Sequence, residues 1–479
     1  MENVSATSDR EPPALLERSI LERFLSIFAE VHAGEGRTAV LLTCNLFLLL
    51  TAYLIIKTIR EPLILASGGA EIKSYAAAGQ ALLLILVVPV YGFLASKVIR
   101  IKLITWVILF FISNLIAFYI MARFHVPLGV AFFLWVGIFN VFVVAQFWSF
   151  ANDIYSEAQG KRLFAIIAFG GSLGAIVGPT IAGWLLKPLG AYPLMLVAAA
   201  LLGVYILLTN IGDAWELRRS NATAIKKAEA ETPLGKEGGF SLVFKQRYLL
   251  LIALLLVLLN LVNTTGEFIL GSIVTKRAQQ VAANEASLPG ATIVGAEAER
   301  EHRTKAIQAF IGDFYASYFF WVNLLTALIQ LFLVSRIIKY LGLTTALFFL
   351  PVIVLGGYSI MTVTPVLSYI VSVKILENST DYSLQNTCRQ ALFLPTSREA
   401  KYKAKAAIDT FFVRAGDVLS SMIVFIGVQL VFDISTFATL NVAFVIVALF
   451  IVAGIARHYK GLVNRNISSV GGDKQLARS

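Results

Sequence analysis

Phe93-Leu94-Ala95-Ser96-Lys97-Val98-Ile99-Arg100 recurs, matched in type at every position, as Phe332-Leu333-Val334-Ser335-Arg336-Ile337-Ile338-Lys339. Each octet closes an apolar stretch with a serine and then sets out two cations. Basic membrane-exit segments resemble one another by composition, so chance similarity is the alternative to a true repeat. A second correspondence at a similar offset favours the repeat: Arg162 and Lys405 each open a glycine-containing apolar stretch. A duplication of this length predicts two halves of six helices in parallel orientation.

The rest of the chain agrees with a bundle embedded in lipid. Of 479 residues, 58% are hydrophobic and 14% charged, and the mean hydropathy is +0.77. Soluble chains carry roughly 45–50% apolar and about 25% charged residues. There is too little polar material to coat soluble domains of this size. A crossing helix needs roughly 20 apolar residues. Such stretches fall near 38–57, 75–96, 103–122, 127–151, 163–187, 192–212, 249–275, 308–335, 341–362, 366–392, 408–432 and 438–457. The pattern predicts an all-α membrane protein of about twelve transmembrane helices. Its expected parts are a cytoplasmic segment over 1–37, a six-helix half over 38–212, a polar linker over 213–248, a second half over 249–457 and a tail over 458–479.

Loop charge sets the orientation. Lys97, Arg100, Lys102, Lys161, Arg162, Arg336, Lys339, Arg398, Lys401, Lys403, Lys405 and the basic linker share one side of a twelve-span path. The alternate loops are nearly free of Lys and Arg. The positive-inside rule places both termini in the cytoplasm, and a bacterial inner membrane is the expected location. The exceptions are basic residues within 57–73 and in the loop 276–307, which reads as an outside cap. Asp9, Glu11, Glu17, Glu22, Glu30 and Glu35 make the first segment too acidic for a signal or transit peptide. Leu16, Ile20, Phe24, Ile27 and Val31 follow helical spacing and predict an amphipathic helix on the membrane surface. The net charge of +11 reads as inside-positive bias, with no nucleic-acid partner, and part of it can attract an anionic substrate. Cys44 and Cys388 sit in apolar stretches as small hydrophobes, and the four histidines lack ligand spacing. Neither metal nor cofactor is expected.

Charges at membrane depth carry the functional signal, because each costs about 2.5–3.5 kcal/mol or more unless it faces a cavity or a partner. Lys57, Arg60 and Glu61 lie on one helix face before Pro62, which is expected to break the helix. They form either a snorkelling interface cluster or a cationic lip to a substrate path. In span 10, Lys374, Asn378, Asp381, Gln385 and Arg389 recur at helical steps, flanked by Glu377 and Asn386. This stripe lines either a helix contact of paired charges or a water-filled cavity, the latter favoured because packing seams prefer small residues. In span 7, Asn260, Asn263, Thr264, Thr265 and Glu267 surround Gly266, which suggests an unwound or bent segment. Glu267 is a candidate proton or cation site, or an ion-pair partner of Arg60 or another cation. Asn152, Asp153, Lys161 and Arg162 precede Gly170-Gly171-Ser172-Leu173-Gly174, while Lys405, Asp409, Arg414 and Asp417 line the start of span 11. These glycines suit close helix packing and not a phosphate loop. No nucleophile–base arrangement appears, which leaves an integral-membrane enzyme as the weaker class.

Four blocks of this chain are similar to the bacterial and plastid nucleotide transporters, the ATP/ADP-type exchangers of major facilitator-like fold. Lys57 to Ala66 with Gly69-Ala70-Glu71-Ile72 resembles the family's span 1 motif. Phe147-Trp148-Ser149-Phe150-Ala151-Asn152 with Lys161-Arg162-Leu163-Phe164 resembles its span 4 segment. Asn260-Leu261-Val262 with Gly312-Asp313-Phe314 resembles its span 7–8 region. The strongest block joins Ala391-Leu392-Phe393 and Pro395-Thr396 to Lys403-Ala404-Lys405-Ala406-Ala407-Ile408-Asp409. Gly92 to Lys97 also resembles the loop 2–3 signature of the major facilitators, with Ser96 and Ile99 departing from it.

The resemblance implies transport by charged residues in spans 1, 4, 7 and 10–11. It puts Arg60 at the family's span 1 lysine and Lys405 at the basic residue before Ala-Ala-Ile-Asp. It puts Asn263 where an acidic residue is usual and Glu267 near a usual lysine, which argues for a divergent member. The expectation is a monomeric alternating-access antiporter of an anionic substrate, with ATP/ADP the best single choice. Lys57, Arg60, Asn263, Lys374, Asn378, Gln385, Arg389 and Lys405 are expected at the substrate. Glu61, Asp153, Glu267 and Asp381 are expected to balance charge or carry a coupling proton. The alternative is a proton-coupled facilitator for a smaller organic or phosphorylated anion.

Overall fold

A computed structural model of the chain describes residues 19–26, 31–95, 100–155, 157–219, 239–286, 296–393, 395–397, 400 and 404–476. Among these residues every regular element is a helix, and ten helices are long and apolar enough to cross a bilayer. Ten and the expected twelve differ at two places, each with a local cause.

Spans 1 and 2 form one helical path, Gly36–Ala95, broken only at Gly69 with φ 67° and ψ −170°. That conformation is open to glycine and strained for other residues. Pro62 does not break the helix as expected, which runs on through it to the glycine. One missing N–H is tolerated where neighbouring helices hold the segment. Span 10 consists of Leu367–Thr380 and Asn386–Leu392, joined without interruption by a π-helical turn, Asp381–Gln385. Neither α-helical piece reaches spanning length alone. A second π-turn, Ile408–Phe412, opens span 11 before Val413–Gln429.

The other spans are regular. Spans 3 to 6 are Arg100–Arg123, Gly129–Ile154, Glu157–Leu189 and Pro193–Arg219. Spans 7, 8 and 9 are Arg247–Ala286, Ala296–Phe332 and Phe349–Val363. Span 12 begins Ile434–Leu476, a helix that continues through most of the expected tail. Spans 7 and 8 are also longer than expected. Residues 287–295 lie outside the described residues, and helix occupies 276–286 and 296–307 of the expected loop. Its Ala- and Glu-rich sequence is good helix-forming material.

Two apolar cores organise the bundle. Leu42, Leu49, Phe132, Phe139 and Leu202 belong to one; Leu249, Ile269, Val354, Tyr358 and Val445 belong to the other. The same packing recurs in each. Gly174 of span 5 leaves room only for the backbone of span 1 at Phe47 and Thr51, and Gly416 of span 11 does so for span 7 at Val257 and Leu261. Asn45 of span 1 donates to Thr209 of span 6 at 2.8 Å, and Asn441 of span 12 donates to the Val262 carbonyl of span 7 at 3.2 Å. The glycines thus serve packing, as their spacing suggested.

At the chain start, Ser19 caps the short helix Ile20–Leu25, whose Ile20 and Phe24 are exposed. Glu22 accepts the Gly34 and Gly36 N–H groups at 2.6 and 3.3 Å and so ties this helix to the base of span 1. The expected surface helix was longer: it stops at Leu25, and Val31 is fully buried instead of lying on the same face. Residues 1–18 and 27–30, the 220–238 stretch of the linker and Lys97 lie outside the described residues.

Candidate functional site

Among the described residues, polar contacts between the two halves gather at one end of the bundle. Span 1 delivers Arg60 and Glu61 there. The break at Gly69 turns the chain and brings Lys73 back onto Glu61. The Arg60 guanidinium pairs with Glu61 through Nε at 3.0 Å and through a shorter Nη2 contact. Lys73 Nζ lies 2.8 Å from the other Glu61 oxygen and 3.6 Å from Glu267 Oε2 of span 7. Lys374 of span 10 lies 3.8 Å from Glu267 Oε1 and 3.0 Å from Glu377. Lys374 also donates to Asn263 Oδ1 at 2.6 Å. Asn378 and the Tyr318 hydroxyl donate to Glu267 at 3.1 and 3.2 Å, and the Tyr358 hydroxyl donates to Glu377 at 3.1 Å. One chain of alternating charge, Arg60–Glu61–Lys73–Glu267–Lys374–Glu377, therefore crosses from the first half to the second.

Desolvation explains the completeness of this network. Lys374 is wholly buried and Glu61 is 1% exposed. A buried ion without a partner costs several kcal/mol, and alternation gives each one a counter-charge. Gly266 is required by the same network. The span 7 helix is unbroken there, contrary to the expected unwinding. A Cβ at this position would overlap the Tyr358 hydroxyl and approach Lys374 Nζ to 3.0 Å. The glycine admits two side chains and frees no backbone.

Lys57 is different. Its Nζ sits 4.6 Å from the Phe319 ring centroid and 6.0 Å from that of Tyr382. Among the described residues no carboxylate lies within ion-pair distance of it. Cation–π contact of this kind holds an ammonium without neutralising it.

Beyond the network lies a polar cavity in the second half. Its inner lobe, of about 120 Å³, is lined by Asn260, Asn263, Glu377, Asp381 and Arg389 among others. Its outer lobe, of about 310 Å³, is lined by Leu256, Asp381, Tyr382, Gln385, Asn386 and Arg389. Leu256, Asp381 and Arg389 line both. The π-turn divides the expected stripe of span 10 by its extra residue per turn. Lys374 and Asn378 enter the ion network, while Asp381, Gln385 and Arg389 face the cavity. Arg389 donates to Asn386 at 2.9 Å and lies 3.8 Å from Asp409 of span 11. At the wall between spans 7 and 11, Asp417 accepts from Asn260 at 2.7 Å, Thr264 at 2.9 Å and Arg414 at 3.1 Å.

Most expected site residues are thus assembled, in two groups. Lys57, Arg60, Glu61, Asn263, Glu267, Lys374 and Asn378 meet at or beside the network; Asp381, Gln385 and Arg389 line the cavity. Lys405 joins neither: its Nζ sits 6.0 Å from the Phe393 ring centroid, outside the cavity lining. The Asp153 side chain lies outside the described ones, although its backbone ends span 4. Sequence reasoning missed Lys73, which fell between two expected spans, and Tyr318 and Tyr358, tyrosines among the many aromatics of apolar helices with no polar stripe beside them. Among the described residues no three His, Cys, Asp or Glu side chains cluster as metal ligands would.

The sequence model of the TLC ATP/ADP transporter family matches residues 123–462. The chain belongs to this family. ADP,ATP carrier protein 1 of Chlamydia muridarum is 25% identical over 324 residues, covering 59% of this chain and 55% of the relative. The protein of the same name from Chlamydia trachomatis is 24% identical with the same coverage. The chain thus spans about half the length of the relatives it matches, and at this identity it is a divergent TLC member. Among solved structures, nucleoside transporter NupG aligns with a TM-score of 0.57 at 12% identity, over 89% of this chain and 99% of that one. A bacterial homologue of the iron transporter ferroportin in an inward-facing state aligns with a TM-score of 0.59 at 13% identity, over 88% and 98%. These neighbours share the overall fold of this TLC protein, whose long apolar helices make it integral to the membrane.

Proposed function

We propose that this TLC family protein is an alternating-access antiporter of an anionic substrate, and that the substrate is a nucleotide of the ATP/ADP kind. One observation carries the reading. The halves are latched at one end by a buried chain of ion pairs, while a polar cavity lies beyond that latch. Alternating access needs a closable seam of this sort between rigid halves. Lys57, which among the described residues lacks a carboxylate partner, and Arg389, held at 3.8 Å from Asp409, supply donors for phosphate oxygens as charge-assisted hydrogen bonds. Arg60, Lys374 and Asn263 act one layer further out, by holding the latch. The name of the chlamydial relatives supports the choice of nucleotide. A bacterial inner membrane, with both termini in the cytoplasm and the latch outward, fits the loop charges.

The test is transport by the purified protein in proteoliposomes. Uptake of radiolabelled ATP is measured with and without internal ADP, and with and without a pH gradient. Exchange predicts uptake that depends on internal ADP. Absence of ATP uptake under every condition overturns the nucleotide reading. Uptake driven by the pH gradient alone favours the second reading, a proton-coupled facilitator, for which the cavity carboxylate of Asp381 is the candidate proton carrier.

A further inference from the structure

Asp381 and Gln385 both line the outer lobe of the cavity, and among the described residues no donor is paired with the Asp381 carboxylate or with Gln385 Oε1, which lies just beneath the lining. Asp381 lines both lobes, and among the described residues no cation lies within ion-pair distance of its carboxylate. Gln385, only 3% exposed, has its Oε1 buried without a hydrogen-bond partner. The two residues open and close the same π-turn, and the Tyr382 ring lines the lobe between them. Leaving a buried acceptor unpaired is unfavourable, so this corner suits a ligand edge rich in N–H groups.

We propose that Asp381 and Gln385 form the nucleobase subsite and select bases bearing an exocyclic amine. The proposal rests on the nucleotide reading above and assigns its base specificity. An amino group offers two N–H donors from one nitrogen, which suits a carboxylate and an amide oxygen side by side. Adenine, cytosine and guanine carry such a group. In uracil and hypoxanthine the ring N–H is flanked by carbonyl oxygen, which would face a carboxylate or an amide oxygen acceptor to acceptor. Tyr382 provides an aromatic face for the base, and Lys57, whose Nζ lies 6.0 Å from that ring's centroid, remains for phosphate. A polar site that must bond a specific group rejects the analogue lacking it far more strongly than an apolar pocket rejects a size change.

The test uses the intact protein in proteoliposomes preloaded with ADP. Initial uptake of ATP, GTP, CTP, UTP and ITP is compared, alongside their effect on the thermal stability of the purified protein. The expected result is a preference of at least about tenfold for amino-bearing bases in kcat/KM, equal to about 1.4 kcal/mol. Asp381→Asn, which adds a donor to the site, should narrow that preference to within about threefold, the loss falling on ATP. Equal handling of ATP and ITP by the unaltered protein overturns the inference while leaving nucleotide transport standing. An equal loss for all five nucleotides in Asp381→Asn also overturns it. Absence of both uptake and thermal stabilisation by every nucleotide overturns the nucleotide reading and this inference with it. The comparison in the unaltered protein decides the matter even where a variant fails to fold.

Discussion

Lys73 and Glu267 come from opposite halves of the chain and face each other across 3.6 Å, 10% and 24% exposed. This is the buried electrostatic link between the halves, beside the exposed pair of Lys187 with Asp313 at 3.4 Å, and it must part when the latched end opens. A half-buried pair of this kind contributes about 1–3 kcal/mol, or roughly 5–150-fold in the balance of two states. Ala70, buried beside Gly271 of span 7 at the same end, reports on that balance. With Cys44 replaced by Ser, an Ala70→Cys protein should react slowly with a membrane-impermeant maleimide. Adding Lys73→Ala should raise the rate at least about fivefold. An unchanged rate would show that the pair does not hold the end closed.

Lys374 is expected to be a residue of stability as much as of transport. It is fully buried between Glu267, Glu377 and Asn263. Removing it strands Glu377 without a cation and leaves Glu267 with Lys73 alone, at a cost of about 3–5 kcal/mol. Lys374→Ala should therefore lower the melting temperature in detergent as well as abolish transport. Lys374→Met combined with Glu377→Gln should recover part of the stability without recovering transport. Arg389→Ala, in the partly open cavity wall, should abolish transport and leave the melting temperature nearly unchanged. Equal melting for both single variants would remove the distinction between latch and cavity.

These two residues show how far the sequence could be read. Intramembrane charge in an apolar chain marks spans 1, 7 and 10 without ambiguity, because lipid leaves such residues few options. It does not say which charge neutralises which. Lys374 and Arg389 belong to one helical stripe, and only the π-turn between them sends one to the latch and the other to the cavity. Lys73 escaped notice because a span boundary was inferred from Pro62, when the chain turns at Gly69. The duplicated octets suggest two halves, whereas the helices over 276–286 and 296–307 stayed hidden because a polar helix carries no lipid-facing stripe.

Gly266→Ala tests whether that glycine serves packing or flexibility. A methyl group there meets the Tyr358 hydroxyl in an otherwise regular helix. Overpacking of this kind costs about 1–3 kcal/mol, so the variant should be destabilised and its transport impaired. Tyr358→Phe in the same protein removes the obstructing oxygen, though also its hydrogen bond to Glu377. The double variant should be more stable than Gly266→Ala alone. A hinge role predicts the opposite: unaltered stability in the single variant and no rescue.

Glu35 gives the fold an acid-sensitive fastening at the base of span 1. Burial pushes its carboxyl up, but hydrogen bonds from Arg162, the His32 N–H and Gln159 outweigh this and hold it below the usual carboxylate range. A group whose folded pKa is depressed stabilises the protein above its unfolded value, about 4.3 for Glu. That contribution is lost as pH falls through the lower folded value. The melting temperature should drop on acidification below about pH 4.5, and less steeply in Glu35→Gln. At neutral pH the variant should be the less stable of the two. Parallel curves would show that the Arg162 contact contributes nothing.

Lys57 offers the cleanest separation of binding from folding. Among the described residues it has no carboxylate to strand, so Lys57→Ala should leave the melting temperature within about 1–2 °C of the unaltered protein. A charge-assisted hydrogen bond to a phosphate oxygen is worth about 1.5–3 kcal/mol. Its loss should raise the KM for nucleotide roughly 10–150-fold. Lys57→Arg should recover only part of this, because the planar guanidinium does not reproduce a compact ammonium packed against Phe319 and Tyr382. The loss should shrink for a nucleoside lacking phosphates, if it binds at all, since the missing contact is to phosphate. A KM that rises equally for nucleoside and nucleotide would place Lys57 at another part of the substrate. An unchanged KM would leave it with the cation–π contacts alone, a structural cation at the edge of span 1.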